Sequence, residues 1–325
     1  MRLNGLAGAA APSLRAAAAA LVVTGLAAGS PSVPLSAQEP AALVIRLQGD
    51  VDVVHGSAAP TPAYVGEQVY VGDGVLPQAG SRAILITRAG SQQIVTERTT
   101  IAEPPAGGNP DIFERALSTL AQAAGADASA GGRQGMIRPI PGETALLAPR
   151  NALAVASTRP SFSWTATPGQ SYDLMLRNVA GGRPTVYEVG ADTVWTLPDT
   201  AADLERGATY QWTIFVGGRR SGRALPPQDF RVISLEESVE LEDYLDEIAV
   251  FGLDPRGDGL LLTLVAYRDM GLFYEARHAL EQVEADGPLG WELYRLKGEI
   301  LAELGHEEDA RAAFDEADAQ AGRQR

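Results

Sequence analysis

Two consecutive stretches near the end of the chain decide how the fold is read: GDGLLLTLVAYRDMGLFYEARHALEQVEADGP (Gly257–Pro288) and LGWELYRLKGEILAELGHEEDARAAFDEADAQAG (Leu289–Gly322). They match at a period of 34 residues, pairing Gly271 with Gly305, Ala276 with Ala310, Leu280 with Phe314, Val283 with Ala317 and Leu264 with Gly298. A repeat of this length built from two helices cannot bury its apolar face alone and stacks on its neighbour. Small residues at 276, 298, 310 and 317 allow paired helices to approach closely, and Leu280 and Phe314 fill the space between them. Pro288 stands where the first unit must stop, because proline has no N–H and clashes inside a helix. An acidic helix, Leu235 to Phe251, precedes the units, so 234–322 is expected to be all-α. Two units fall below the roughly three that stabilise such a stack. Docking of the leading helix or of another module is therefore expected.

Working back from the helices, residues 145–233 read as a β-sandwich. Phe162–Trp164, Tyr172–Leu176, Val186–Val189, Val194–Leu197, Thr209–Val216 and Phe230–Ile233 are apolar stretches separated by glycine, proline and aspartate turns. Tyr210 and Trp212 share parity, which with Trp164 points to one buried aromatic face. Residues 41–103 are expected to form a smaller all-β module, with Leu43, Ile45 and Leu47 alternating against Val44, Arg46 and Gln48. Residues 104–143 read as a linker. Within it Asp111 is expected to cap a short helix to about Ala124, followed by a flexible run from Gly125 to Gly135. At the N-terminus, Arg2 and Arg15 precede an apolar stretch of 13 residues (Ala16–Ala28), Pro31, Pro34 and the small residues Ser36 and Ala37. That pattern reads as a signal peptide over 1–37, cleaved after Ala37; the apolar stretch is shorter than the ~20 residues needed to span a bilayer. The mature chain is then periplasmic or secreted, with no membrane span.

Composition narrows function. The chain has 325 residues and a formal net charge of −15, with no cysteine and three histidines. All of the net charge lies after position 233, where 23 acidic residues face 8 basic ones. Such a chain is a poor partner for nucleic acid, which needs clustered cations. The absence of cysteine excludes disulfides, thiol catalysis and zinc–thiolate sites. No nucleophile elbow, phosphate loop, dinucleotide fingerprint or zinc-protease motif is present, so no catalytic residue, cofactor or metal is expected. Asp50, Asp52 and Asp73 read as turn residues. His278 and His306 are expected at the surface. Arg219, Arg220 and Arg223 form a basic cluster on a hairpin that would suit the acidic C-terminal region.

The motifs resemble known families. The run V-I-R-L-Q-G-D-V-D-V, then Val65-Gly66, Val71-Gly72-Asp73, Gly80-Ser81-Arg82-Ala83, Ala89-Gly90-Ser91 and Thr99-Thr100-Ile101 is similar to the FecR-type domain in its exported, stand-alone form. Gly66, Gly72 and Gly80 would fill turn positions with positive φ. Ala89 departs from the usual acidic residue. An export segment stands where the iron-transport regulators carry a cytoplasmic anti-sigma segment, so sigma-factor control is not implied. Residues 159–164, 204–212 and 230–232 resemble a fibronectin type III or Ig-like module, and 257–322 resembles two tetratricopeptide repeats. These resemblances imply a non-enzymatic exported bacterial envelope protein, acting as a protein-binding or scaffold module or a signalling accessory. An envelope or secreted protein partner would bind the concave face of the helical repeats through Tyr267, Tyr274, Tyr294 and Arg295. The alternative is a carbohydrate or cell-wall binding protein that uses the β modules, with Trp195 or Tyr187 against a glycan.

Overall fold

The computed structural model describes residues 39–104, 110–125, 143–218 and 222–324. The signal peptide expected at 1–37, most of the run from Gly125 to Gly135, and Arg219 and Arg220 lie outside the described residues.

The first β module comprises β1 (Ala42–Gln48), β2 (Val51–Val54), β3 (Thr61–Pro62), β4 (Gln68–Val69), β5 (Gly74–Pro77), β6 (Arg82–Thr87), β7 (Gln92–Val95) and β8 (Thr99–Thr100). Two antiparallel sheets result, in the orders β4-β1-β6-β7 and β3-β2-β5-β8. Gly66, Gly72 and Gly80 all have positive φ, as their turns require. The alternation expected of β1 breaks at Val44/Arg46, where the register against β6 shifts. Val44 is fully buried along with Leu43, and Ile45 and Leu47 are nearly so. Both faces of the strand are covered because helices lie against the sheet.

After helix α1 (Asp111–Ala124) comes the sandwich: β9 (Leu146–Ala148), β10 (Ala154–Val155), β11 (Ser161–Trp164), β12 (Tyr172–Asn178), β13 (Thr185–Gly190), β14 (Val194–Thr196), β15 (Thr209–Val216), β16 (Arg223–Ala224) and β17 (Gln228–Val232). The sheet β14-β11-β9 faces the sheet β10-β17-β15-β12-β13, and β16 pairs with β15. Between them Phe162, Trp164, Tyr172, Trp212 and Phe230 form one aromatic core. The Phe162 and Trp212 rings meet edge to face at 5.0 Å. At the start of β15 the Tyr210 hydroxyl accepts the Glu205 N–H at 2.8 Å, closing the corner that leads into the strand.

Five helices follow: α2 (Leu235–Val250), α3 (Leu260–Asp269), α4 (Phe273–Asp286), α5 (Trp291–Glu303) and α6 (Glu307–Gln324). Pairs α3/α4 and α5/α6 turn at Gly271 and Gly305, both left-handed, 34 residues apart. Gly298 of α5 lies so close to Phe314 of α6 that a Cβ there would stand 2.7 Å from the ring. Helix α1 begins after Pro110 rather than with Asp111 as its cap. It buries Ile112, Phe113, Ala116, Leu120 and Ala123 and packs on α5 and α3. Thr119 donates to the Asp269 carboxylate at 3.1 Å, and the Arg115 guanidinium lies 4.3 Å from the Tyr244 ring centre.

The first β module, α1 and helices α2 to α5 share one apolar core, which also takes in Leu153, Ala154 and Ile233; the sandwich has its own, and α6 packs on Leu301 and Ala302 in a third. The shared seam is also polar. Val65 forms a parallel bridge with Leu289: its N–H donates to Pro288 at 2.9 Å, and its carbonyl accepts from Gly290 at 3.0 Å. Arg46 ion-pairs with Asp258 at 2.6 Å and Asp286 at 3.2 Å, residues that bracket the α3–α4 hairpin.

Candidate functional site

The α3–α4 hairpin and the sandwich enclose a cleft of about 660 Å³. Its position follows from two clamps. The first is the turn before β10, where Asn151 and Ala152 both adopt left-handed backbone (φ 62° and 57°). Such conformations cost side-chain-bearing residues roughly 1–2 kcal/mol each and persist here because the turn is tied down. Its Arg150 is buried and donates to the Leu304 carbonyl at the end of α5, at 2.6 Å. A cation there meets the negative end of the helix dipole. The Arg150 N–H donates to the Tyr274 hydroxyl at 2.8 Å. The second clamp is the Ala156 N–H, which donates to Glu275 Oε1 at 2.7 Å. Between the clamps, Val155, Ser163 and Val194 line one wall; Leu260, Tyr267, Glu275 and Ala279 line the other.

Burial raises the Glu275 carboxyl above its ordinary pKa. Arg159 lines the same cleft but spends its guanidinium on the carbonyls of Pro198 and Ala201 and on Asp203. Arg256, His278 and Gln282 are exposed along the cleft, and the last two hydrogen-bond each other at 2.8 Å.

The four residues expected to bind a partner divide between two places. Tyr267 and Tyr274 line the cleft, although the Tyr274 hydroxyl is committed to Arg150. Tyr294 lies instead in a smaller depression of about 430 Å³ among α4, α5 and α6, its ring 5.8 Å from the Lys297 ammonium. Arg295 ion-pairs with Asp318 of α6. The face formed by α3 and α5 carries the chain's own α1. His278 is exposed as expected; His306 is half-buried, 3.1 Å from Arg277, and burial lowers its pKa. In the sandwich, Tyr187 and Trp195 are half-buried and pack against each other at 4.6 Å, with Trp195 also 6.0 Å from Phe162.

Sequence reading missed a second constellation, at the seam. His55 Nδ1 lies 2.7 Å from Asp73 and its Nε2 3.1 Å from Glu67. Asp73 does hold its turn, accepting from Tyr70 N–H at 2.9 Å, and both carboxylates are buried. The Glu67 hydrogen bond, opposed by burial and aided by Asp73, raises His55 to about 9. Across the seam, burial and then the Glu67 charge raise Glu292 to about 7, against its own N–H. Among the described residues no group of three or more His, Cys, Asp and Glu is arranged to hold a metal ion, and no helix is long and apolar enough to cross a membrane.

No family model matches the chain, and no curated protein matches it. Solved structures similar to it include a two-domain fibronectin type III segment of chicken tenascin, at 12% identity over 59% of this chain and 93% of that one, with a TM-score of 0.19. A cytokine receptor complex matches at 12% identity over 57% of this chain and 86% of that one, with a TM-score of 0.20. A beta-1,2-glucanase from Parabacteroides distasonis matches at 10% identity over 86% of this chain and 49% of that one, with a TM-score of 0.22. Scores this low carry no argument about shared fold or activity, so the architecture rests on its own strand pairing and packing.

Proposed function

We propose that this chain is a non-enzymatic exported protein of a bacterial envelope that binds a protein partner in the cleft between its sandwich and the α3–α4 hairpin, as a scaffold or signalling accessory. The cleft carries the proposal: it is concave, largely apolar, and held open by Arg150 and Glu275 on either side. Its finer parts are a FecR-type first module, a fibronectin type III or Ig-like sandwich and two tetratricopeptide-like hairpins. The three-strand sheet packed on a larger one, with the Tyr210 corner, supports the second. The left-handed glycines 34 residues apart and the Gly298–Phe314 contact support the third. The glycan alternative has less support, because Tyr187 and Trp195 turn their rings toward each other and the core.

A photo-cross-linking residue at Val194 or at Gln282, on opposite walls of the cleft, tests this reading against one at Glu240 on α2. A discrete partner captured from envelope extract at both cleft positions and not at Glu240 is expected. Capture that ignores position, or none in the cleft, would overturn it.

A further inference from the structure

The cleft contains a group that the fold leaves unsatisfied. Glu275 sits in the first turn of α4, and its Oε1 is fixed by the Ala156 N–H at 2.7 Å. Its Oε2 is shielded from water and has no hydrogen-bond partner among the described residues. A buried carboxylate oxygen without a donor costs free energy that an incoming donor recovers. Its neighbours select the donor. Val155, Leu260 and Ala279 are apolar, and the phenols of Tyr267 and Tyr274 both feel the Glu275 charge. A carboxylate flanked by aromatic rings in an apolar cleft suits a cation carried on an apolar stem.

Among the described residues, the cationic and titratable groups around the cleft are engaged away from Glu275: Arg150 donates to the Leu304 carbonyl, Arg206 to the Ala156 carbonyl, and His278 hydrogen-bonds Gln282. Arg159 is held by the Pro198 and Ala201 carbonyls and by Asp203. Arg256 is exposed on the rim and bears on ligand choice in the opposite sense, since it repels a second positive charge at the mouth.

We propose that Glu275 anchors a single basic side chain, lysine or arginine, presented by an otherwise apolar segment of the partner. This rests on the cleft being the partner-binding surface and adds the charge that the partner brings. Capture of the cation requires the Glu275 carboxylate. Burial favours its neutral form, so binding strengthens as pH rises and is accompanied by proton release.

Calorimetry on the mature chain with two probes tests the proposal: the amidated, acetylated peptide Leu-Ala-Arg-Ala-Leu, and the same peptide with norleucine in place of arginine. The arginine peptide is expected to bind at least roughly tenfold tighter, as a charge-assisted hydrogen bond implies. Its advantage should grow with pH and vanish in Glu275→Gln, which keeps an amide oxygen for the Ala156 N–H. Arg256→Gln should tighten the arginine peptide severalfold, giving a second readout if Glu275→Gln is poorly folded. Equal affinities for the two peptides would overturn the cation anchor while leaving the cross-linking result at Val194 and Gln282 intact. Binding of neither peptide would also overturn it, and loss of the cleft cross-links as well would remove the parent reading.

Discussion

At the scale of single residues, Arg46 decides how the first sheet meets the helices. One guanidinium reaches Asp258 just before α3 and Asp286 at the end of α4. All three side chains are less than a third exposed, so removing the cation strands two partly desolvated carboxylates. Arg46→Ala is expected to cost about 1–3 kcal/mol in urea unfolding, and an unchanged midpoint would show that the pairs are idle. His55 and Glu292 set a pH dependence. The folded state prefers protonated His55, so its contribution is full below 6.5 and lost as pH rises through about 9. Neutral Glu292 is likewise preferred, so its contribution is full below 4.5 and lost as pH rises through about 7. Both act in the same direction. Stability should fall from acid to alkaline pH, with Glu292→Gln flattening the lower part of the curve and His55→Gln the upper. Denaturant midpoints at about pH 5, 7 and 9 check this. None of this was legible in the sequence: His55, Glu67 and Asp73 are 12 and 18 residues apart and obey no ligand spacing, and only sheet packing gathers them. Glu275 likewise reads in the sequence as an ordinary first-turn acid.

At the scale of elements, the pair of helical hairpins was the most legible part, because the same left-handed glycine turn between two helices recurs 34 residues on. Within the α5/α6 hairpin, Gly298 lies directly beneath Phe314. Gly298→Ala gains about 1 kcal/mol of helix propensity but forces a Cβ to 2.7 Å from a buried ring. Overpacking of this kind costs about 1–3 kcal/mol, so net destabilisation is expected in thermal unfolding. The entry to α2 is a capping box of the pattern S-x-x-E. Ser234 accepts from Glu237 N–H at 3.1 Å, the Glu237 carboxylate accepts from Ser234 N–H, and Arg231 pairs with that carboxylate. Ser234→Ala is expected to cost about 1 kcal/mol, again read from the unfolding midpoint. The two-residue strands β3 and β8 were not readable, since such short pairs carry no periodicity of their own. Nor was the destination of α1: the short helix itself was readable, but the surface that receives it is assembled from α3 and α5, about 150 residues downstream in the Thr119–Asp269 bond.

At the scale of the whole molecule, the modules differ in self-sufficiency. The sandwich closes its own core around Phe162, Trp212 and Phe230, so a fragment spanning 143–234 should unfold cooperatively on its own. The first β module shares its core with α3, α4 and α5, so a fragment spanning 39–103 should show no sharp transition of its own; circular dichroism during urea unfolding checks this. The proposed export carries a chemical prediction. N-terminal sequencing of the exported protein should begin at Gln38, and a start at Met1 would mean a retained anchor.

The bridge between Val65 and Leu289 has a temporal consequence. Strand β1 lies near the start of the described residues, and the helices that cover it arrive only with α3 and α4. During synthesis the first sheet therefore waits for some two hundred residues before its apolar surface can be closed, a highly non-local pairing of the kind that folds slowly. The proposed export would benefit from that delay: the contact between Val65 and Leu289 cannot form until the chain has been made as far as α5.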